Sequence, residues 1–262
     1  MVRTYLLLAW TWTRAAMQYP LSLVLFMVSG MFVMLLDLAG LAIMFHRVDE
    51  LGGFTVMEFM YLWGTCQVAF ALSDIGCGTT DRLSEHIKSG ALDTMLVRPV
   101  SPMLQLATEE FSPRKLSRLV PAGTALGVAM AHLRLDPLDV LVTVAMVGCG
   151  TVIFCAIWVM TSAVQFVLID GHQVTKGVTW GGNFMAQYPM SIFGRDFVRG
   201  VTFVVPLAFV NWQPSLYVLG HPDPLGLPPW CRFLSPVVAV LLVAVATLAW
   251  RTGLRHYRST GS

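Results

Sequence analysis

Residues 141–168 form 28 consecutive positions without a single Asp, Glu, Lys or Arg. A helix rises about 1.5 Å per residue, so a run of this length exceeds the roughly 30 Å hydrocarbon core of a bilayer and must tilt or project from it. The rest of the chain agrees with a membrane setting. Of 262 residues, 56% are hydrophobic and 12% charged, with a mean hydropathy of +0.67, against about 25% charge in soluble domains. That leaves too few polar side chains to cover a water-facing globule. It excludes an ordinary soluble enzyme, a disordered chain and a collagen-like fibre, and predicts an all-α integral membrane protein. The net charge of +2 gives no field that would attract nucleic acid.

Six segments are apolar over a length that approaches or exceeds a membrane: residues 21–45, 54–77, 116–133, 138–169, 201–219 and 233–250. The third is short, and the fifth is interrupted by Pro206 and Pro214. Residues 1–19 predict an amphipathic helix in the headgroup layer. Arg3 and Arg14 stay wet there, Leu6, Leu7, Trp10 and Trp12 meet acyl chains, and Pro20 ends the helix. The apolar run within it is too short and too Trp-rich for a cleavable signal core. With the N-terminus cytoplasmic, 14 of the 17 Lys and Arg residues fall on the inside. That bias predicts six spans with both ends cytoplasmic. Arg outnumbers Lys 14 to 3, which fits a GC-rich bacterial genome and hence a bacterial cytoplasmic membrane.

Three connections are long enough to carry function. Residues 78–117 read as a cytoplasmic segment with a short helix through Lys88, ended by Ser89 and Gly90. Leu92, Met95 and Leu96 follow at i, i+3 and i+4, an apolar face on a polar strip that suits docking into a groove. Residues 170–199 mix aromatics, Met and Gly with Asn and Gln, and predict an interfacial connector helix. Residues 211–232 carry Pro214, Pro222, Pro224, Pro228 and Pro229, so they cannot form one regular helix. They read either as a re-entrant hairpin at the outer surface or as a loop with two proline turns.

No phosphate-cradling loop is present: GHQVTKG at 171–177 lacks the glycine before Lys and the Ser or Thr after it. HExxH, GxSxG and GxGxxG are absent too, so no catalytic, cofactor-binding or metal set is expected. The six His are scattered, and the five Cys contain no CxxC pair and read as buried small hydrophobes. Asp37, Glu58 and Asp74 are acidic residues in the first two apolar segments. Asp37 lies deepest, so it is either a hydrogen-bonded packing group or a transport residue. GTALG at 123–127 permits close helix contact.

Several strings carry a resemblance. SGALDTMLVRPVSPMLQ at 89–105 is similar to the Gly-x-Leu-Asp-x-x-Leu-x-Arg-Pro-x-Ser stretch that permeases of type-2 ABC exporters carry after their second span. YPMSIFGR at 188–195, VPLAFVNWQPSLYVLG at 205–220 and GLRHYRSTGS at 253–262 resemble later blocks of one bacterial subfamily. The resemblance covers nearly the whole chain. It implies a permease that pairs with a second permease, related or identical, and with a dimer of separate ABC ATPase subunits that bind the ATP and Mg. The segment after span two would be the coupling helix, with Glu85, Lys88, Leu92, Asp93, Leu96 and Arg98 meeting the ATPase. Asp37, Phe209 and Trp212 would belong to the pathway and its outer gate, with the first, second and fifth spans as its lining. Few fixed charges among Met, Phe and Trp would suit an amphipathic or lipid-like substrate. Two alternatives compete. A stand-alone ion-coupled carrier centred on Asp37 should consist of two inverted halves, and the first three segments do not repeat in the last three. An intramembrane enzyme would need converging catalytic groups, and none is recognisable.

Overall fold

The computed structural model describes residues 2–109, 111, 113–168 and 171–257, and these are overwhelmingly helical. Local chemistry sets most of the boundaries. Helix α1 (Val2–Ala16) stops ahead of Pro20, which opens α2 (Pro20–Phe45) at a position where its missing N–H is not needed. Helix α3 (Val56–Cys77) starts in a capping box: the Thr55 N–H and hydroxyl both donate to the Glu58 carboxylate at 2.8 Å. A 3-10 turn (Gly78–Arg82) then leads to three short helices, α4 (Leu83–Lys88), α5 (Ala91–Leu96) and α6 (Pro102–Thr108). Gly90 adopts φ +68° at the start of α5, a conformation that a side chain would disfavour. A second 3-10 turn (Pro113–Arg118) precedes α7 (Leu119–Leu133), and Arg134 reverses the chain into α8 (Pro137–Val164). Helices α9 (His172–Ala186), α10 (Arg195–Phe203), α11 (Trp212–Val218) and α12 (Ser235–His256) complete the fold.

Helix α8 is the axis. It buries Met146, Ile153, Phe154, Ile157 and Trp158 and packs against both α3 and α12. Helix α3 lies between α7 and α8 and is buried along most of its length. Two glycines set these approaches. A Cβ on Gly64 would come within 3.0 Å of the Leu126 backbone on α7, and one on Gly150 would lie 2.7 Å from the Val210 carbonyl. Gly123 and Gly127 do not play that role: a Cβ on either would meet nothing within 4 Å. The close contact of GTALG with α3 is therefore made by the Leu126 backbone against Gly64, not by the two glycines of the string.

Among the described residues, three helices, α2, α8 and α12, are long and apolar enough to cross a membrane. The pair of α10 and residues 207–218 adds a fourth if counted together, although it bends by 76°. The expected single segment 201–219 is thus two helices that meet near Pro206, which cannot continue the backbone ladder. Helix α7 has 15 residues, about 22 Å, and residues 116–118 of the expected third segment are 3-10 rather than α. Helix α3 has the length, yet Thr65, Gln67 and Ser73 dilute its apolarity, and all three are buried against protein. The expected segment 138–169 ends as a helix at Val164, and Ile169 lies outside the described residues. Helix α1 leaves Leu6, Leu7 and Trp10 exposed and is tied down by a Tyr5 hydroxyl bond to the Ile75 carbonyl at 3.3 Å.

Residues 211–232 break as the prolines require. After α11 the chain turns at Gly220 and Gly226, both with positive φ, and ends in a 3-10 turn (Pro229–Phe233). His221 pairs with Glu58 at 2.9 Å and stacks on Phe54, while Arg232 donates to the carbonyls of Leu216 and His221. The loop is therefore fastened to the start of α3.

Candidate functional site

A cavity of about 720 Å³ lies beside the 3-10 turns at the α4–α6 end of the bundle. Helix α2 supplies Phe26, Ser29, Gly30, Val33, Met34 and Asp37; α3 supplies Gln67, Phe70 and Asp74. The turns contribute Asp81, Arg82, Arg114, Lys115 and Arg118, and α9 contributes Trp180, Asn183, Phe184 and Gln187. Its volume is in the range that holds a small organic ligand.

Charge is arranged unevenly along this cavity. Asp74 accepts Lys115 at 3.2 Å and lies 3.6 Å from Arg118, and the Lys115 ammonium also donates to the Asp74 carbonyl at 2.7 Å. The Arg118 guanidinium lies 5.0 Å above the Trp180 ring and that of Arg114 lies 5.4 Å above Phe26. Arg82 pairs with Glu85 at 2.8 Å. Asn183 donates to Gln67 at 3.4 Å across the wall. Asp37 also lines the cavity and has no hydrogen bond or ion pair among the described residues.

The second feature is the way residues 78–109 are attached. Leu83, Ile87, Leu92, Met95 and Leu106 form one cluster with Trp250 of α12, flanked by Phe166 and Tyr257. Gln165, fully buried just past α8, accepts the Ser84 N–H at 2.7 Å and donates to the Asp81 carbonyl at 2.9 Å and the Thr175 hydroxyl at 2.8 Å. His172 reaches the same Asp81 carbonyl at 2.8 Å, and Ser162 bonds Thr80 at 3.1 Å. Burial pushes the Asp81 carboxyl above the usual carboxylate range. Gln105 donates to the carbonyls of Met95 and Val100 and accepts from Arg98, which holds the Arg98-Pro99 turn.

His86 and Glu109 close the far side of this segment. The hydrogen bond to Glu109 holds the His86 imidazolium above the usual histidine range. A raised native pKa means that the pair stabilises fully below about pH 6.5 and loses its contribution as pH rises through the raised value. Amide exchange over residues 83–109 is therefore expected to accelerate on going from pH 6 to pH 8.5, beyond the intrinsic chemical rate. Glu109→Gln should remove that excess. An identical excess in the variant would refute the assignment.

The expected site residues divide cleanly. Glu85, Lys88, Leu96 and Arg98 face outward, joined by Val97 at 85% exposure, and Asp93 is half-buried, accepting the Tyr257 hydroxyl at 3.2 Å. Leu92 does not belong to an exposed apolar triplet. It and Met95 point into the cluster with Trp250, because positions i and i+3 of this single-turn helix face α4 and α6. Phe209 and Trp212 lie in the packed core with Phe54, not on a cavity wall, because the bend near Pro206 folds residues 207–218 back onto α8. The wall expected from the fifth segment comes instead from α9, which the sequence reading treated as a connector. Part of the signal was present: Thr175, Thr179, Asn183 and Gln187 recur every fourth residue and are buried, and Asn183 and Gln187 of this stripe line the cavity.

Membrane-length helices thus stand beside a cavity walled by aromatic, charged and amide side chains, with a folded helical segment at one end. A family model described as ABC-2 family transporter protein matches residues 31–261. The chain belongs to that family, and is thus a multi-pass membrane permease component of the ABC transporter class. No curated protein and no solved structure matches it.

Proposed function

We propose that this chain forms the translocation pathway of an ATP-driven exporter together with a second permease, and that separate ATPase subunits drive it through residues 79–105. In this reading six segments traverse a bacterial cytoplasmic membrane, both termini are cytoplasmic, and α4–α6 receive the ATPase dimer.

One observation carries the reading. Asp81 lies on the cavity wall and also belongs to the turn that opens the α4–α6 segment, and its carbonyl is gripped by Gln165 and His172. A push on the outward face formed by Glu85, Lys88, Leu96 and Arg98 is transmitted by packed contacts to Trp250 and by hydrogen bonds to the end of α8. It thereby reaches the cavity wall. Nucleotide bound to the partner biases the two states because its contacts with this face differ between them.

The variant Leu96→Asp changes an exposed side chain and leaves the Arg98–Gln105 hydrogen bond in place. We expect co-purification of a nucleotide-binding chain to fall about ten-fold or more, equivalent to about 1.4 kcal/mol, with membrane insertion and yield unaltered. Undiminished co-purification and ATP hydrolysis would remove this face from the mechanism.

A further inference from the structure

The inner end of the cavity and its outer end differ in what they leave for a ligand. Phe26 and Asp37 are on the same helix, eleven residues and hence about 16 Å apart along its axis. Every cation on the wall lies toward the Phe26 end, and each is engaged: Lys115 and Arg118 by Asp74, Arg82 by Glu85, Arg114 by the ring of Phe26. The fixed charge at the other end is the Asp37 carboxylate, which has no partner among the described residues. It sits on the most uncovered apolar helix of the chain, where a lone charge is costly and a counter-ion is strongly favoured.

We propose that this cavity binds lipophilic organic cations, with Asp37 as the counter-charge and the aromatic wall as the receptor for the body of the ligand. The proposal rests on the permease reading and names its substrate class. Two rings of the wall, Phe26 and Trp180, already hold guanidinium groups on their faces, so the site uses cation–π contacts by construction. Phe184, beside Trp180 on α9, is 61% exposed and offers a further ring. The Gln67–Asn183 amide pair tolerates a polar substituent without adding charge. An anionic amphiphile fares worse on both counts: it meets Asp37, and to pair with a wall cation it must displace Asp74 from Lys115 or Arg118, Glu85 from Arg82, or the Phe26 ring from Arg114.

The test uses two probes of nearly the same size and shape but opposite sign, tetraphenylphosphonium and tetraphenylborate. Saturable binding is measured by equilibrium dialysis against the detergent-solubilised full chain, together with any chains that accompany it. The phosphonium should bind at least about ten-fold more tightly than the borate, Asp37→Asn should lose about ten-fold for the phosphonium only, and Asp37→Glu should stay within about three-fold of the parent. Equal binding of the two ions, or phosphonium binding indifferent to Asp37→Asn, overturns the proposal. Should Asp37→Asn fail to insert, the comparison of the two ions on the parent chain and the Asp37→Glu variant still decide. Co-purification of a nucleotide-binding chain reports separately on the permease reading. Its presence with charge-blind binding sinks only the substrate class, and its absence with Asp37-dependent binding sinks only the ATP-driven mechanism.

Discussion

Gln165→Leu is expected to destabilise the junction between α8, α9 and the α4–α6 segment by about 2–4 kcal/mol, because a buried donor or acceptor stripped of its partner forfeits its hydration without replacement. The two side chains are similar in volume, so packing changes little and the loss is one of hydrogen bonds. The Ser84 N–H in the first turn of α4 loses its Gln165 acceptor, and the Asp81 carbonyl loses one donor and keeps His172. The Thr175 hydroxyl retains the carbonyls of Thr161 and Gly171. Amide exchange over residues 79–88 should therefore accelerate about thirty-fold or more, while the centre of α8 exchanges as in the parent chain. An unchanged rate at 79–88 would mean that the segment is held by its apolar cluster alone. It would also remove the hydrogen-bonded route from the outward face to the cavity.

The second large effect is expected at Asp74. Its carboxylate is mostly buried and faces two cations, Lys115, which is equally enclosed, and Arg118, which is about one-third exposed. Asp74→Leu leaves those cations without a counter-charge, and removing one partner of such a pair typically costs about 3–5 kcal/mol. The chain should lose thermal stability in detergent by many degrees. Asp74→Leu/Lys115→Met should recover a large part of the loss, because it removes the more deeply buried of the stranded charges. If the double variant is no more stable than the single one, the damage arises from packing around α3 and not from electrostatics. Asp74→Asn keeps the shape and measures the charge alone.

These two sites bear on how far the chain could be read before its structure was known. Helix positions were legible because their causes are local. Pro20 marks the boundary between α1 and α2, and the apolar runs mark α2, α8 and α12. Residues 78–117 stand out in the sequence as a long, charged segment between apolar runs. Their orientation was not legible, since Leu92, Met95 and Leu96 look alike until α4, α6 and Trp250 choose which of them to cover. Gln165 drew no notice because one amide at the end of an apolar run has no periodicity, and its partner Ser84 lies 81 positions earlier. Gly64 and Gly150 were overlooked in favour of GTALG for the same reason: a motif is a pattern along one helix, whereas close approach is a property of two.

What the sequence determined alone is therefore the solvent and the elements. Too little charge for water, together with runs of membrane length, commits the chain to helices in a bilayer, because lipid leaves backbone polar groups no other partner. The tertiary structure decided which polar side chains meet. It assembled Asp37, Asp74, the basic turn, Asn183 and Gln187 around one cavity, and it buried Phe209 and Trp212 in the core. Those encounters join residues tens of positions apart. The free energy that selects among them comes from packing and paired charges, which exist only once the helices are side by side.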